Sequence, residues 1–127
     1  MARNTSPTLT EAELRLMNVL WSRGPSTVGD VVAALPDDVD LAYSTVLTTL
    51  RILEEKGYLR HAKEGRAFVY SPVVNREEVS RNAVRFILDR FFGNRRDQLV
   101  LSILSDDDIS DAELKRLRKM IREDAER

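Results

Sequence analysis

Ser44, Thr45, Thr48, Thr49 and Arg51 recur at spacings that put side chains along one side of an α-helix. Short hydroxyls lower helix propensity because they compete for backbone hydrogen bonds, so a merely solvated helix face more often carries Glu, Lys or Ala. The chemistry open to this set is non-covalent. A hydroxyl can bond a phosphate oxygen or a base edge, a threonine methyl can touch a thymine methyl, and the guanidinium can reach guanine or phosphate. Tyr43, just ahead of the set, can meet a phosphate or act as a packing anchor. Arg60, Lys63 and Arg66 follow around Gly65, where a basic loop can hold flanking phosphates or enter a minor groove. The same residues would also serve as a solvated face and a charged turn, and spacing alone leaves both readings open.

Other chemistry is poorly supplied. The 127 residues contain no cysteine and one histidine, His61, which removes disulfides, thiolate metal sites and thiol catalysis. His61 has no His or Cys partner for a metal and reads as a surface or phosphate-contacting residue. Asp106, Asp107, Asp108 and Asp111 lack the glycine and terminal glutamate of a calcium loop, and read as a linker whose charges favour a following helix N-terminus. There is no Gly-rich phosphate loop and no nucleophile–base constellation, so neither an enzyme, a cofactor nor a metal is expected. Net charge is −1, not the basic balance typical of nucleic-acid binders. Residues 41–72 nevertheless carry five basic against three acidic side chains, while residues 1–40 carry three against six. Met1 to Thr8 hold no apolar leader, and no stretch approaches the roughly 18–20 apolar residues of a membrane span. A cytoplasmic protein without membrane insertion is expected.

The elements that must position these residues are legible from caps and periods. Thr10 with Glu13, Asn75 with Glu78, and Ser110 with Glu113 each place a capping residue three positions before a glutamate, flanked by apolar staple positions such as Leu9 and Leu14. They predict helices over about Glu11–Ser22, Arg76–Phe92 and Asp111–Asp124. Leu14, Met17, Leu20 and Trp21 mark the apolar face of the first. A short second helix opens at Ser26 or Thr27 with Val28, Val31, Val32 and Leu35. A third spans about Tyr43–Lys56, with Val46, Leu50 and Leu53 on its inner stripe and Gly57 as a left-handed cap. Tyr58–His61 and Ala67–Tyr70 read as strands of a hairpin whose turn, Lys63–Arg66, is eased by Gly65. A further helix is expected over Asp97–Leu104. Three helices followed by a hairpin is the winged-helix plan. The fold class is mostly α with a small β-hairpin: a winged helix-turn-helix over residues 1–73, then a helical domain over 74–127.

From Leu9 to about Ile121 the chain resembles the BlaI/MecI family of penicillinase repressors. The resemblance rests on Leu9–Leu14 with Trp21, on Ala42–Leu50, on Leu53–Tyr58 with Glu55-Lys56-Gly57, and on Gly65-Arg66 to Pro72. It implies a homodimeric transcriptional repressor on a palindromic double-stranded operator, with Tyr43, Ser44, Thr45, Thr48, Thr49, Arg51, Arg60, Lys63 and Arg66 at the DNA. The C-terminal helices would dimerise through Val79, Ala83, Phe86, Ile87, Phe91, Leu99, Leu114, Leu117 and Ile121, a face too apolar to stay exposed. The copper-responsive branch uses C-terminal cysteine pairs, which this chain lacks. In the β-lactam-responsive branch a membrane-bound sensor metalloprotease cuts an Asn-Phe pair. Leu99-Val100-Leu101 matches the approach to that site, but the pair itself is Ser102-Ile103. Control of a β-lactam or cell-envelope stress response is the expectation. A winged-helix protein-interaction module without DNA binding is the alternative that the low net charge favours.

Overall fold

The computed structural model of the chain describes residues 8–126. Most of the segment read for a leader and the outer ends of the two expected domains lie outside those residues. The helix α1 (Glu11–Arg23) opens on a reciprocal cap. The Thr10 hydroxyl accepts the Glu13 amide at 3.1 Å, and the Glu13 carboxylate accepts the Thr10 amide at 2.8 Å. Ser26–Thr27 then form a short strand, β1, and α2 (Val28–Ala34) follows, with Thr27 and Asp30 making the same reciprocal cap. The sequence reading started the second helix at Ser26 or Thr27 and missed this strand, because two residues are too few to show an alternating period.

The helix α3 (Tyr43–Glu55) ends in a two-bond closure. The Gly57 amide donates to the Glu54 carbonyl and the Tyr58 amide to the Leu53 carbonyl, both at 3.0 Å, while Gly57 sits at φ 92°. That is the Schellman arrangement, whose left-handed residue strains anything but glycine. It turns the chain directly into β2 (Leu59–Glu64), and β3 (Ala67–Pro72) returns antiparallel with Leu59 opposite Pro72 and Glu64 opposite Ala67. Lys63 and Glu64, expected in the turn, therefore belong to the strand, and the loop is Gly65-Arg66 alone. Gly65 has φ 62° while Arg66 keeps a negative φ, the type II′ pattern that matches strand twist. β1 joins on the far side of β3, giving the order β1-β3-β2, with Ser26 opposite Tyr70.

One core holds these elements. Leu16, Met17 and Leu20 of α1, Val28 and Val31 of α2, Val46, Leu50 and Leu53 of α3, and Tyr58, Leu59 and Tyr70 around the hairpin are all buried together. Each fully buried Leu or Val contributes about 1.5–3 kcal/mol. Leu14, expected on the inner face of α1, is instead 41% exposed. The buried stripe is Glu13, Leu16, Met17 and Leu20, one i, i+3, i+4, i+7 row, and Leu14 lies about 100° off it.

The helix α4 (Arg76–Phe92) is capped by Asn75, whose side chain accepts the Glu78 amide at 2.7 Å. Its first half is bound to the winged helix. The Trp21 indole donates to the Val74 carbonyl at 3.0 Å, Arg76 lies 5.3 Å over the Trp21 ring, and Val79 joins the common core. The chain divides into two compact units, one ending at Val84 and the other starting at Arg85. This division falls inside α4. The second unit contains the rest of α4, α5 (Arg96–Leu104) and α6 (Asp111–Ala125), the last capped by Ser110. In this unit Leu88 is buried, but neither α5 nor α6 buries any residue.

Candidate nucleic-acid interface

Because Val46, Leu50 and Leu53 are pinned in the core, the opposite side of α3 must face outward. Tyr43 is 58% exposed, Ser44, Thr45, Thr48 and Arg51 are exposed, and Thr49 is half-buried. The helix starts on Ala42, which offers no side-chain acceptor. The first amides are left to donate outward, as phosphate-contacting helices do. Two of the hydroxyls are already in use. Thr48 donates to the Ser44 carbonyl at 2.9 Å and Thr49 to the Thr45 carbonyl at 2.8 Å. Their oxygens remain acceptors, suited to an adenine or cytosine amino group, and donation to a phosphate would require breaking the back-bond.

The hairpin supplies the second wall. A groove of about 300 Å³ is lined by Tyr43, Leu47 and Arg51 of α3, by Thr27, and by Arg66 and Phe68 of the hairpin. Strand alternation sorts the cations. Lys63 pairs with Phe68 and His61 with Tyr70, so these four share one face. Arg60 pairs with Ser71 and projects to the other. The structure therefore brings Tyr43, Arg51 and Arg66 around one groove and Lys63 onto the adjoining face, but not Arg60. Among the described residues none of Arg51, Arg60, Lys63 and Arg66 is held in an ion pair.

Three residues at this surface escaped the sequence reading. Phe68 is 49% exposed on the hairpin beside Arg66. Tyr70 is buried on the hairpin face beside Arg51. Burial, chiefly, and the Glu54 charge push the Tyr70 phenol upward, against the opposing pull of Arg51. Glu54 takes His61. The His61 Nδ1 lies 2.7 and 2.8 Å from the two Glu54 oxygens, and its ring packs edge-on against Phe68 at 5.2 Å and tilted against Tyr70 at 5.5 Å. His61 is thus an exposed residue, as expected, with Glu54 as its partner.

Elsewhere, the Asp106 carboxylate accepts the Asp108 amide at 3.0 Å, and among the described residues no three His, Asp or Glu side chains gather as for a metal. Ser102 and Ile103 lie exposed within α5. Of the expected dimer face, Phe91 is 70% and Ile121 60% exposed, and Ile87 is also exposed. Ala83, Phe86, Leu99, Leu114 and Leu117 are half-buried, and Val79 is occupied in the core of the first unit. No described helix is long and apolar enough to cross a membrane.

The sequence model of the family described as Penicillinase repressor matches residues 9–123. The chain is 31% identical over 117 residues to the penicillinase repressor of Bacillus licheniformis, spanning 92% of this chain and 91% of that protein. It is 20% identical over 118 residues to the methicillin resistance regulatory protein MecI of Staphylococcus aureus strain N315, spanning 93% and 96%. Among solved structures it is similar to the DNA-binding domain of the repressor BlaI, with 35% identity and a TM-score of 0.51, over 57% of this chain and 88% of that one.

Proposed function

The chain belongs to the penicillinase repressor family and is a DNA-binding transcriptional repressor; from that premise we propose that it reads a palindromic operator as a homodimer, with α3 in the major groove. The observation that carries this reading is the two-sided character of α3. One side is locked in the core by Val46, Leu50 and Leu53, and the other presents Ser44, Thr45, Thr48 and Arg51. Arg66 and Lys63 on the hairpin reach flanking phosphates, and Arg60 has a lesser part. A two-fold dimer would set two copies of α3 in successive major grooves. Ile87, Phe91 and Ile121 supply the apolar surface for it, with Ala83, Phe86, Leu99, Leu114 and Leu117 behind them, since among the described residues α5 and α6 bury no side chain fully. The chain works in the cytoplasm and catalyses no reaction.

Release from DNA would follow β-lactam or cell-envelope stress, through a membrane-bound sensor metalloprotease cutting Ser102-Ile103. The pair lies inside α5, so the helix must open locally before a protease can take it as extended chain. The test of the whole reading is footprinting on the DNA flanking the protein's own gene, with a salt titration. A symmetric footprint is expected. So is an affinity loss of roughly 10³-fold or more between about 50 and 200 mM salt if about 6–10 phosphates are neutralised. A flat salt response or an unprotected duplex would refute it.

A further inference from the structure

Glu54 is an awkward residue on this helix. It stands three positions after Arg51, one turn along the same side, and an acidic group there can do two kinds of harm. It can draw the guanidinium into an i, i+3 ion pair, and it can repel phosphate. The ion pair is not seen, and the Glu54 side chain, 30% exposed, has another partner. Both Glu54 oxygens are taken by His61 Nδ1, and among the described residues Arg51 is held in no ion pair. Two carboxylate oxygens within 2.8 Å of one ring nitrogen suit the tautomer that carries a proton on Nδ1, since two bare acceptors would repel. The imidazole is fixed in that pose by Phe68 and Tyr70, its neighbours on the hairpin face.

Resting on the DNA-reading role of α3, we propose that His61 is a positioning residue. By engaging Glu54 it keeps that carboxylate off Arg51 and leaves the guanidinium available to DNA. The hairpin then has a second task besides presenting cations, which is to engage Glu54, one of the two acids that stand a turn from Arg51 on α3. His61 acts through Glu54 and does not itself touch the nucleic acid.

The test compares the full-length wild type with His61→Phe, Glu54→Gln and the double variant, binding a mixed-sequence DNA duplex at one fixed salt concentration. Phenylalanine keeps the ring packing and removes only the polar contact. His61→Phe is expected to weaken binding about tenfold, the scale of one lost arginine contact. Glu54→Gln should bind at least as tightly as wild type. The double variant should match Glu54→Gln, because without the acid there is nothing left to hold away. A double variant as weak as His61→Phe would overturn the inference by placing His61 on the DNA, and an undiminished His61→Phe would also overturn it. If even the wild type bound no duplex, this inference and the reading beneath it would fall together. The ring ¹⁵N spectrum of the lone histidine gives a readout free of DNA. A protonated Nδ1 is expected, and a ring protonated only at Nε2 would overturn the pairing.

Discussion

The Lys56 ammonium lies 2.8 Å from the Glu13 carboxylate, joining the cap residue at the end of α3 to the first turn of α1. The acid is 4% exposed and is the same side chain that closes the Thr10 cap, so one carboxylate serves two contacts. Lys56→Met leaves that buried carboxylate without its cation. A loss of about 2–4 kcal/mol in unfolding free energy is expected by denaturant titration, and a change under about 0.5 kcal/mol would show the pair to be idle.

The same carboxylate sets an acid dependence. Burial raises the Glu13 group, but the Lys56 ammonium and the Thr10 amide and hydroxyl outweigh it and hold it below the usual 4.5. A depressed folded value means stability that is complete above the unfolded value of 4.5 and fades as pH falls through the lower folded value. Thermal unfolding across that window should fall more steeply for wild type than for Glu13→Gln. Parallel curves would assign the acid sensitivity to other groups.

Thr48 is expected to carry sequence preference and not general affinity. Thr48→Ala should narrow the gap between operator and random DNA by about 1–3 kcal/mol while binding to random duplex changes little. Equal weakening on both would remove Thr48 from the base-reading set.

The hairpin cations should separate by face. Lys63→Ala and Arg66→Ala are each expected to lower the slope of log affinity against log salt by about one, uniformly across sequences. Arg60→Ala, on the opposite face of the strand, should lower it less. An Arg60 effect equal to the other two would show that DNA wraps both faces.

A charge in the C-terminal helices should break the dimer while sparing the winged helix. Phe91→Asp or Ile121→Asp is expected to give monomers by sedimentation, with the far-ultraviolet signal of the folded chain kept. A dimer that persists in both would place the interface elsewhere.

Much of this was legible in residue types. The caps at Thr10, Asn75 and Ser110, the glycine closing α3, and the inner stripe Val46, Leu50 and Leu53 each follow from local chemistry and recur in the structure. The misses share one cause: they depend on partners distant in sequence. Glu13 reads as a capping residue until Lys56 arrives from α3, and Ser26-Thr27 reads as a helix start until β3 lies alongside. His61 is at the surface as its sequence suggests, but its Glu54 partner is not legible there. Leu14 was misplaced for a related reason, because the row that goes inside is chosen by which neighbours pack against it. Lys63 and Arg60 part company by strand alternation once β2 is seen to run through Lys63, which the sequence places in the turn.

The closure at Gly57 leaves Lys56, Gly57 and Tyr58 as the whole connection between α3 and the first hairpin strand, with Tyr58 buried and both amide bonds made. Such a joint has no slack, so the distance between the helix and the hairpin tip works as a caliper with a fixed opening. A target whose adjacent grooves are set wider or narrower than that opening cannot be met by flexing the protein at this point. The mismatch must be absorbed by distorting the duplex, and stiff sequences would then be discriminated against at base pairs that no side chain touches.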